Sequence, residues 1–330
     1  MEERFFKQTR QHFSKLGMMY FCGSLIFLAV QLGVVELFKV FWPTLLYHAD
    51  SSFLISMLPV YGIAMPLTYV LIRMVPANRI QPHRMSIQQW LVAFLMCYAC
   101  MYVGNLFGQA ITLIIGEIKG APVVNTVTEI SMEISPWVSI LVMVILAPVA
   151  EELLFRKFLI DRTVKYGEGV AVLLSGVMFG LFHGNLNQFC YAFVIGLFFG
   201  FIYVKTGMIR YTIFLHMGIN FLGSVASVLF LQYAGYDKLL AAGNPRAQME
   251  VVAEYLPQMM LYAVYVMLLL TVAVIGVVLL ILNLKRKKFV CGPGEVTLPK
   301  GKRFVLTVGN VGMILFAVFW LVQIVLQLIG

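Results

Sequence analysis

The sequence predicts an all-α, polytopic membrane protein of about nine transmembrane helices around a four-helix core. Three observations carry that expectation. Of the 330 residues 61% are hydrophobic and only 12% charged, and the mean hydropathy is +0.90; the apolar runs repeatedly approach the ~20 residues needed to cross ~30 Å of hydrocarbon; and the cations gather in short clusters between those runs. A disordered chain, a disulfide-stapled secreted module and an ordinary cytosolic enzyme would each need more polar surface than 24 Lys+Arg and 15 Asp+Glu supply.

In chain order the expected spans are about 18–42, 53–75, 88–116, 135–160, 169–187, 188–204, 211–231, 258–284 and 304–328. The fifth and sixth are separated only by a polar tip at Asn185, Asn187 and Gln188. The charged N-terminal lead runs into an apolar stretch with no small-residue cleavage site behind it, as expected of an uncleaved first span. Between spans seven and eight, Asn244-Pro245 followed by Arg246–Tyr255 predicts a capped surface helix lying along the membrane. The organisation expected is accessory helices over 1–134, a catalytic core over 135–231, and an external loop with two C-terminal spans over 232–330. No repeat is evident.

The net charge is +9, but no interleaved aromatic and basic stretch suggests a nucleic-acid groove, and no nucleic-acid partner is expected. Loop cations give the orientation: with the N-terminus inside, 20 of the 24 Lys+Arg fall in inside segments and Lys119, Lys238 and Arg246 in outside loops. The expected location is a bacterial cell membrane, N-terminus cytoplasmic and C-terminus outside. Lys285, Arg286, Lys287 and Lys288 form a topology signal with affinity for anionic lipid headgroups, so membrane lipid is an expected partner. The five cysteines are odd in number, and the Cys97/Cys100 spacing merely stacks two small residues on one helical face.

Ionisable groups inside a span are costly, and three spans hold them in an organised way. In the fourth, Glu151 and Glu152 follow Pro148, which loosens the helical ladder. Neighbours on a helix point roughly 100° apart, so the two carboxylates face different surroundings. Glu152 and Arg156 are spaced i,i+4 and can pair, leaving Glu151 free as a general base. In the fifth span Phe179 sits one turn below His183; in the seventh His216 and Asn220 share a face. Counted from the cytoplasmic ends, Glu151, His216 and Asn220 lie roughly 9–16 Å deep and His183 about 20 Å.

Such a set can hydrolyse an amide. The carboxylate deprotonates water, an imidazole orients it or protonates the leaving amine, and His216 with Asn220 donates to the oxyanion. Glu151, His183 and His216 could equally ligate a zinc ion with one open position, and a metal-free scheme uses the same side chains. A proton-coupled transporter or channel using Glu151, His183 and His216 as a relay is the alternative. Asn105 and Gln109, and Glu36 with Lys39, have helical-spacing partners and read as structural; Asn185 and Asn187 either line a cavity or cap a helix.

The series Glu151-Glu152-x-x-x-Arg156, Phe179-x-x-x-His183 and His216-x-x-x-Asn220 on successive spans resembles the CAAX-protease and bacteriocin-processing family of membrane endopeptidases. The match covers about 135–231. The resemblance implies peptide-bond hydrolysis inside a helical bundle near the cytoplasmic side, acting on a peptide or lipidated protein by CAAX-type C-terminal processing or by leader or bacteriocin processing. It maps the catalytic glutamate to Glu151, its supporting pair to Glu152 and Arg156, the water-activating histidine to His183 and the oxyanion pair to His216 and Asn220. Members are described both as metalloproteases and as glutamate-dependent, so zinc is left open.

Overall fold

A computed structural model describes residues 2–123 and 125–329, and every described regular element is helical. The helices are α1 (Glu2–Phe41), α2 (Ala49–Arg73), α3 (Ile87–Lys119), α4 (Thr126–Glu133), α5 (Pro136–Tyr166), α6 (Glu168–Phe182), α7 (Leu186–Thr206), α8 (Ile209–Tyr233), α9 (Tyr236–Ala241), α10 (Pro245–Lys285), α11 (Arg303–Thr307) and α12 (Val311–Ile329). Eight of them, α1, α2, α3, α5, α7, α8, α10 and α12, are long and apolar enough to cross a membrane. The chain is an integral, multi-pass protein.

Helix ends follow local chemistry. Ser86 opens α3 with a capping box: its hydroxyl accepts from the Gln89 amide, and the Gln89 side chain accepts from the Ser86 amide. Ser135 and Asn244 cap α5 and α10, each followed by proline in the first turn, where a missing N–H costs nothing. Close packing is set in part by small residues. At Gly17 of α1 and Gly312 of α12 a Cβ would collide with the facing backbone, so the two helices meet main chain to main chain.

Two expectations are corrected. Among the described residues eight helices, not nine, have spanning length: α6 has 15 residues, about 22 Å against ~30 Å of hydrocarbon. The apolar run continues past Phe182, but His183 ends the helix, Gly184 turns left-handed at φ +59°, and Asn185 caps α7 by accepting from the Gln188 amide. The second correction concerns Asn244–Tyr255, which is no separate surface helix. It forms the first turns of α10, which runs unbroken for 41 residues through Pro257. At about 62 Å, α10 is twice the hydrocarbon thickness and projects beyond it.

The connections define two ends of the bundle. At the amino end, the His12 ring meets the Arg162 carbonyl at 2.8 Å, and the amides of Asn78, His83 and Val296 donate to the carbonyls of Asp161, Thr206 and Lys165. At the carboxyl end, the Ser135 amide donates to Asp50, Gln232 to the Met132 carbonyl, and Lys119 to the Leu328 carbonyl. The chain therefore starts at one end and finishes at the other. Of the spanning helices α7 is the most enclosed, 61% of its apolar window being buried, whereas α1 and α10 bury 11% of theirs and present apolar side chains outward.

The helices around the centre are not regular. Turns of α5 over Ile140–Leu146 and Leu153–Phe158, of α8 over Phe221–Ala226 and of α2 over Val60–Ala64 are π-helical. In α5 they flank Ala147–Glu152 on both sides, which is where Pro148 was expected to loosen the ladder. Such wide turns recur at functional sites because they re-aim side chains within an otherwise continuous helix.

Candidate active site

Glu151, His183, His216 and Asn220 line one cavity of about 350 Å³ enclosed by α2, α3, α4, α5, α7 and α8. Four of the six residues singled out in the sequence thus share a chamber. The other two, Glu152 and Arg156, are completely buried behind it. The 100° between adjacent helical positions produces the division: Glu151 retains 14% exposure on the cavity side and Glu152 none.

Arg156 Nε lies 3.1 Å from Glu152 Oε2, an ion contact whose direction falls outside a hydrogen bond. The guanidinium instead packs on aromatic faces, its carbon 4.3 Å from the Phe179 ring centre and 5.3 Å from that of Phe199, and its Nη atoms have no hydrogen-bond partner among the described residues. Phe179 also meets His183 and His216 edge to face, with centroids 4.8 and 5.7 Å away. One phenyl ring therefore touches the cation and both imidazoles.

Glu152 does more than pair with Arg156. Its Oε1 lies 3.1 Å from Nδ1 of His216, a hydrogen bond between α5 and α8 that spacing along one helix could not reveal. The carboxylate accepts, so that nitrogen carries hydrogen, and Nε2 faces Glu151 Oε2 at 3.8 Å, beyond direct bonding. His183 is fixed similarly: Nδ1 is 2.8 Å from the Phe179 carbonyl, which can only accept, so the neutral ring keeps its lone pair on Nε2. Asn220 donates one N–H to the Met143 carbonyl at 2.8 Å, in the first wide turn of α5, and retains a second.

Among the described residues no group of three or more His, Cys, Asp or Glu side chains is arranged to hold a metal ion. His216 is turned by its bond to Glu152, and His183 by its bond to its own helix end.

Several lining groups escaped the sequence. Asn105, read there as structural, faces the cavity together with Tyr61, Gln188 and Tyr191. The Gln188–Tyr191 pair, bonded at 3.2 Å, had a visible i,i+3 spacing; the two tyrosines sit in apolar runs where nothing marks them. Asn185 takes the capping role, and Asn187 accepts from Thr112 in the α3–α7 interface. Glu36 and Lys39 pair at 2.6 Å in the open, and Cys97 and Cys100 are free buried thiols, as expected.

The lining runs on from the Glu151 level to Phe53, Asn125, Thr128 and Val228, toward the carboxyl end.

A multi-pass helical membrane protein with one carboxylate and two imidazoles on an internal chamber is the class that fold and site define. Residues 133–222, about a quarter of the chain, match the family model described as Rce1-like, type II CAAX prenyl endopeptidase. The three motifs that carry the resemblance all fall within that segment, which is similar to that family. No curated protein and no solved structure matches the chain.

Proposed function

We propose that this protein is an intramembrane endopeptidase in which Glu151 activates water, and the observation that carries the reading is the shared chamber of Glu151, His183, His216 and Asn220 backed by the sealed Glu152–Arg156 pair. Glu151 takes a proton from a water held between its carboxylate and Nε2 of His183. The water oxygen bonds to the scissile carbonyl carbon, and negative charge moves to the carbonyl oxygen. Asn220 offers its free N–H to that oxygen. His216 joins it when both ring nitrogens are protonated, with Glu152 balancing the positive charge through Nδ1. The carbon–nitrogen bond then breaks, and the proton held by Glu151 passes to the departing amine. Arg156 keeps Glu152 ionised and in place, and so acts through it rather than on substrate.

The substrate is a peptide or lipidated protein chain, and the reaction class CAAX-type processing or leader peptide removal. The test uses purified protein in lipid with a prenylated CAAX peptide and an unlipidated leader peptide in parallel. Glu151→Ala is expected to lower cleavage by roughly 10²–10⁴-fold while leaving the thermal unfolding midpoint in place, and a strong chelator is expected to leave the wild-type rate unchanged. Wild-type cleavage by Glu151→Ala overturns the proposal. Ion transport surviving in Glu151→Gln with altered pH dependence, and no cleavage by the wild type, would assign the residues to a proton relay instead.

A further inference from the structure

A second cavity, of about 480 Å³, lies at the amino end of the bundle between the start of α3, the last turns of α7 and the chain that leaves α10. It shares no lining residue with the chamber of Glu151. Its walls are sorted by depth. Arg84, Gln88 and Gln89 at the start of α3, Lys205 on α7 and Lys288 after α10 bring charge and amides to the helix ends. From Gln89 to Met96 on α3, and from Lys205 back to Phe198 on α7, the walls descend roughly 10 Å and become apolar. Val92, on the same wall of α3, is exposed, so the apolar level is open to surrounding lipid.

The cationic level is not neutralised from within. Glu168 accepts from Lys205 and from the Gly292 amide, but Arg84 and Lys288 have no carboxylate partner among the described residues. The placing of Lys288 is set by how α10 ends. The amides of Lys287 and Lys288 donate to the carbonyls of Leu284 and Asn283, and Lys287 adopts the left-handed φ of +51° that glycine normally supplies in such a closure. This turn carries Lys288 and Phe289 over α7, where the Phe289 ring lies 5.2 Å from Phe201 and 6.3 Å from Phe198. Lys285 and Arg286, in the same cationic run, do not line the cavity.

We propose that this groove binds one anionic diacyl phospholipid, with its phosphate between Arg84 and Lys288 and an acyl chain laid along Val92, Met96 and Phe198. Gln89 keeps its carbonyl oxygen on the Ser86 amide, which leaves its NH₂ to donate to a phosphate oxygen beside that of Gln88. Free phosphate would use the cationic level and leave the apolar one empty; a neutral lipid would do the opposite. An anionic amphiphile uses both. The general attraction of the Lys285–Lys288 run for anionic headgroups depends on how many cations are present, whereas a site depends on which ones. Binding here asks nothing of the Glu151 chamber and stands whether or not the protein cleaves peptides.

Delipidated full-length protein in neutral detergent is titrated with dioleoyl phosphatidylglycerol, and the first bound lipid is followed by native mass spectrometry. Phosphatidylcholine with the same chains is expected to bind roughly tenfold more weakly, and excess inorganic phosphate is expected not to displace the anionic lipid. Arg84→Gln combined with Lys288→Gln should weaken phosphatidylglycerol roughly 10–30-fold; Lys285→Gln combined with Arg286→Gln removes the same charge from the same end and should change it by less than about twofold. All four side chains are exposed, so both doubles are expected to keep the wild-type unfolding midpoint in the absence of lipid. Val92→Trp, which fills the apolar level from an exposed position, should weaken both lipids. Equal losses in the two doubles would reduce the effect to a diffuse field and overturn the site. Equal affinity for the two lipids, displacement by inorganic phosphate, or full affinity in Val92→Trp would each overturn an anionic lipid seated in this groove.

Discussion

The two sides of α5 differ by one residue in sequence and by everything in surroundings. On one side Glu151 looks into a chamber shared with two imidazoles and an amide; on the other Glu152 is sealed between His216 and Arg156, whose guanidinium packs on two phenyl rings. Identical side chains are thus given different work by what they touch. The open carboxylate is placed to exchange protons, and the closed one to hold an ion pair and an imidazole in fixed relation. A hydrophobic replacement would serve packing on the closed side equally well, since buried ion pairs contribute little net stability. What the pair supplies is the setting of His216.

The sharpest way to break this contrast is to open the sealed side. Arg156→Ala leaves Glu152 buried without its cation, which is expected to cost about 3–5 kcal/mol and to show as a large fall in the unfolding midpoint in detergent. Adding Glu152→Gln to the same chain should recover much of that stability but not the activity, because a neutral amide no longer balances the imidazolium. A single variant as stable as the wild type would mean that the pair is not sealed. On the wet side, Asn220→Ala is expected to slow cleavage by roughly 10²–10³-fold, the scale of one lost oxyanion donor. Its effect on stability should be near 1 kcal/mol, the net value of its bond to the Met143 carbonyl. A normal rate would remove Asn220 from the reaction. The mildest change lies outside the contrast altogether. Thr112→Val removes a buried bond to Asn187 between α3 and α7 and should cost roughly 0.6 kcal/mol with no change in turnover, checked by unfolding and rate measurements on one preparation.

Much of this arrangement was legible in the amino-acid order. The apolar runs located the spanning helices because bilayer thickness fixes their length, and i,i+4 spacing put Glu152 beside Arg156 and Phe179 beside His183 because helix geometry is local. What depended on neighbours was not legible. The bond from Glu152 to His216 joins helices 64 positions apart, and Tyr61, Asn105 and Tyr191 reach the chamber only through the way the bundle closes. The length of α6 was overestimated because hydropathy measures an apolar run, whereas a left-handed Gly184 and a capping Asn185 decide where the helix stops. The break expected before the eighth span failed for the converse reason: polar residues near Tyr255 do not end a helix whose backbone bonds continue.

The widened turns carry one further implication. Each residue in a regular helix advances the face by about 100°, so a turn holding one residue more than usual acts as a phase shifter, setting the azimuth of everything downstream. In α5 one such shifter lies before Ala147–Glu152 and another after it. Evolution can therefore swing the Glu151 carboxylate around the rod by gaining or losing a single codon in Ile140–Leu146, without touching the ends that anchor it.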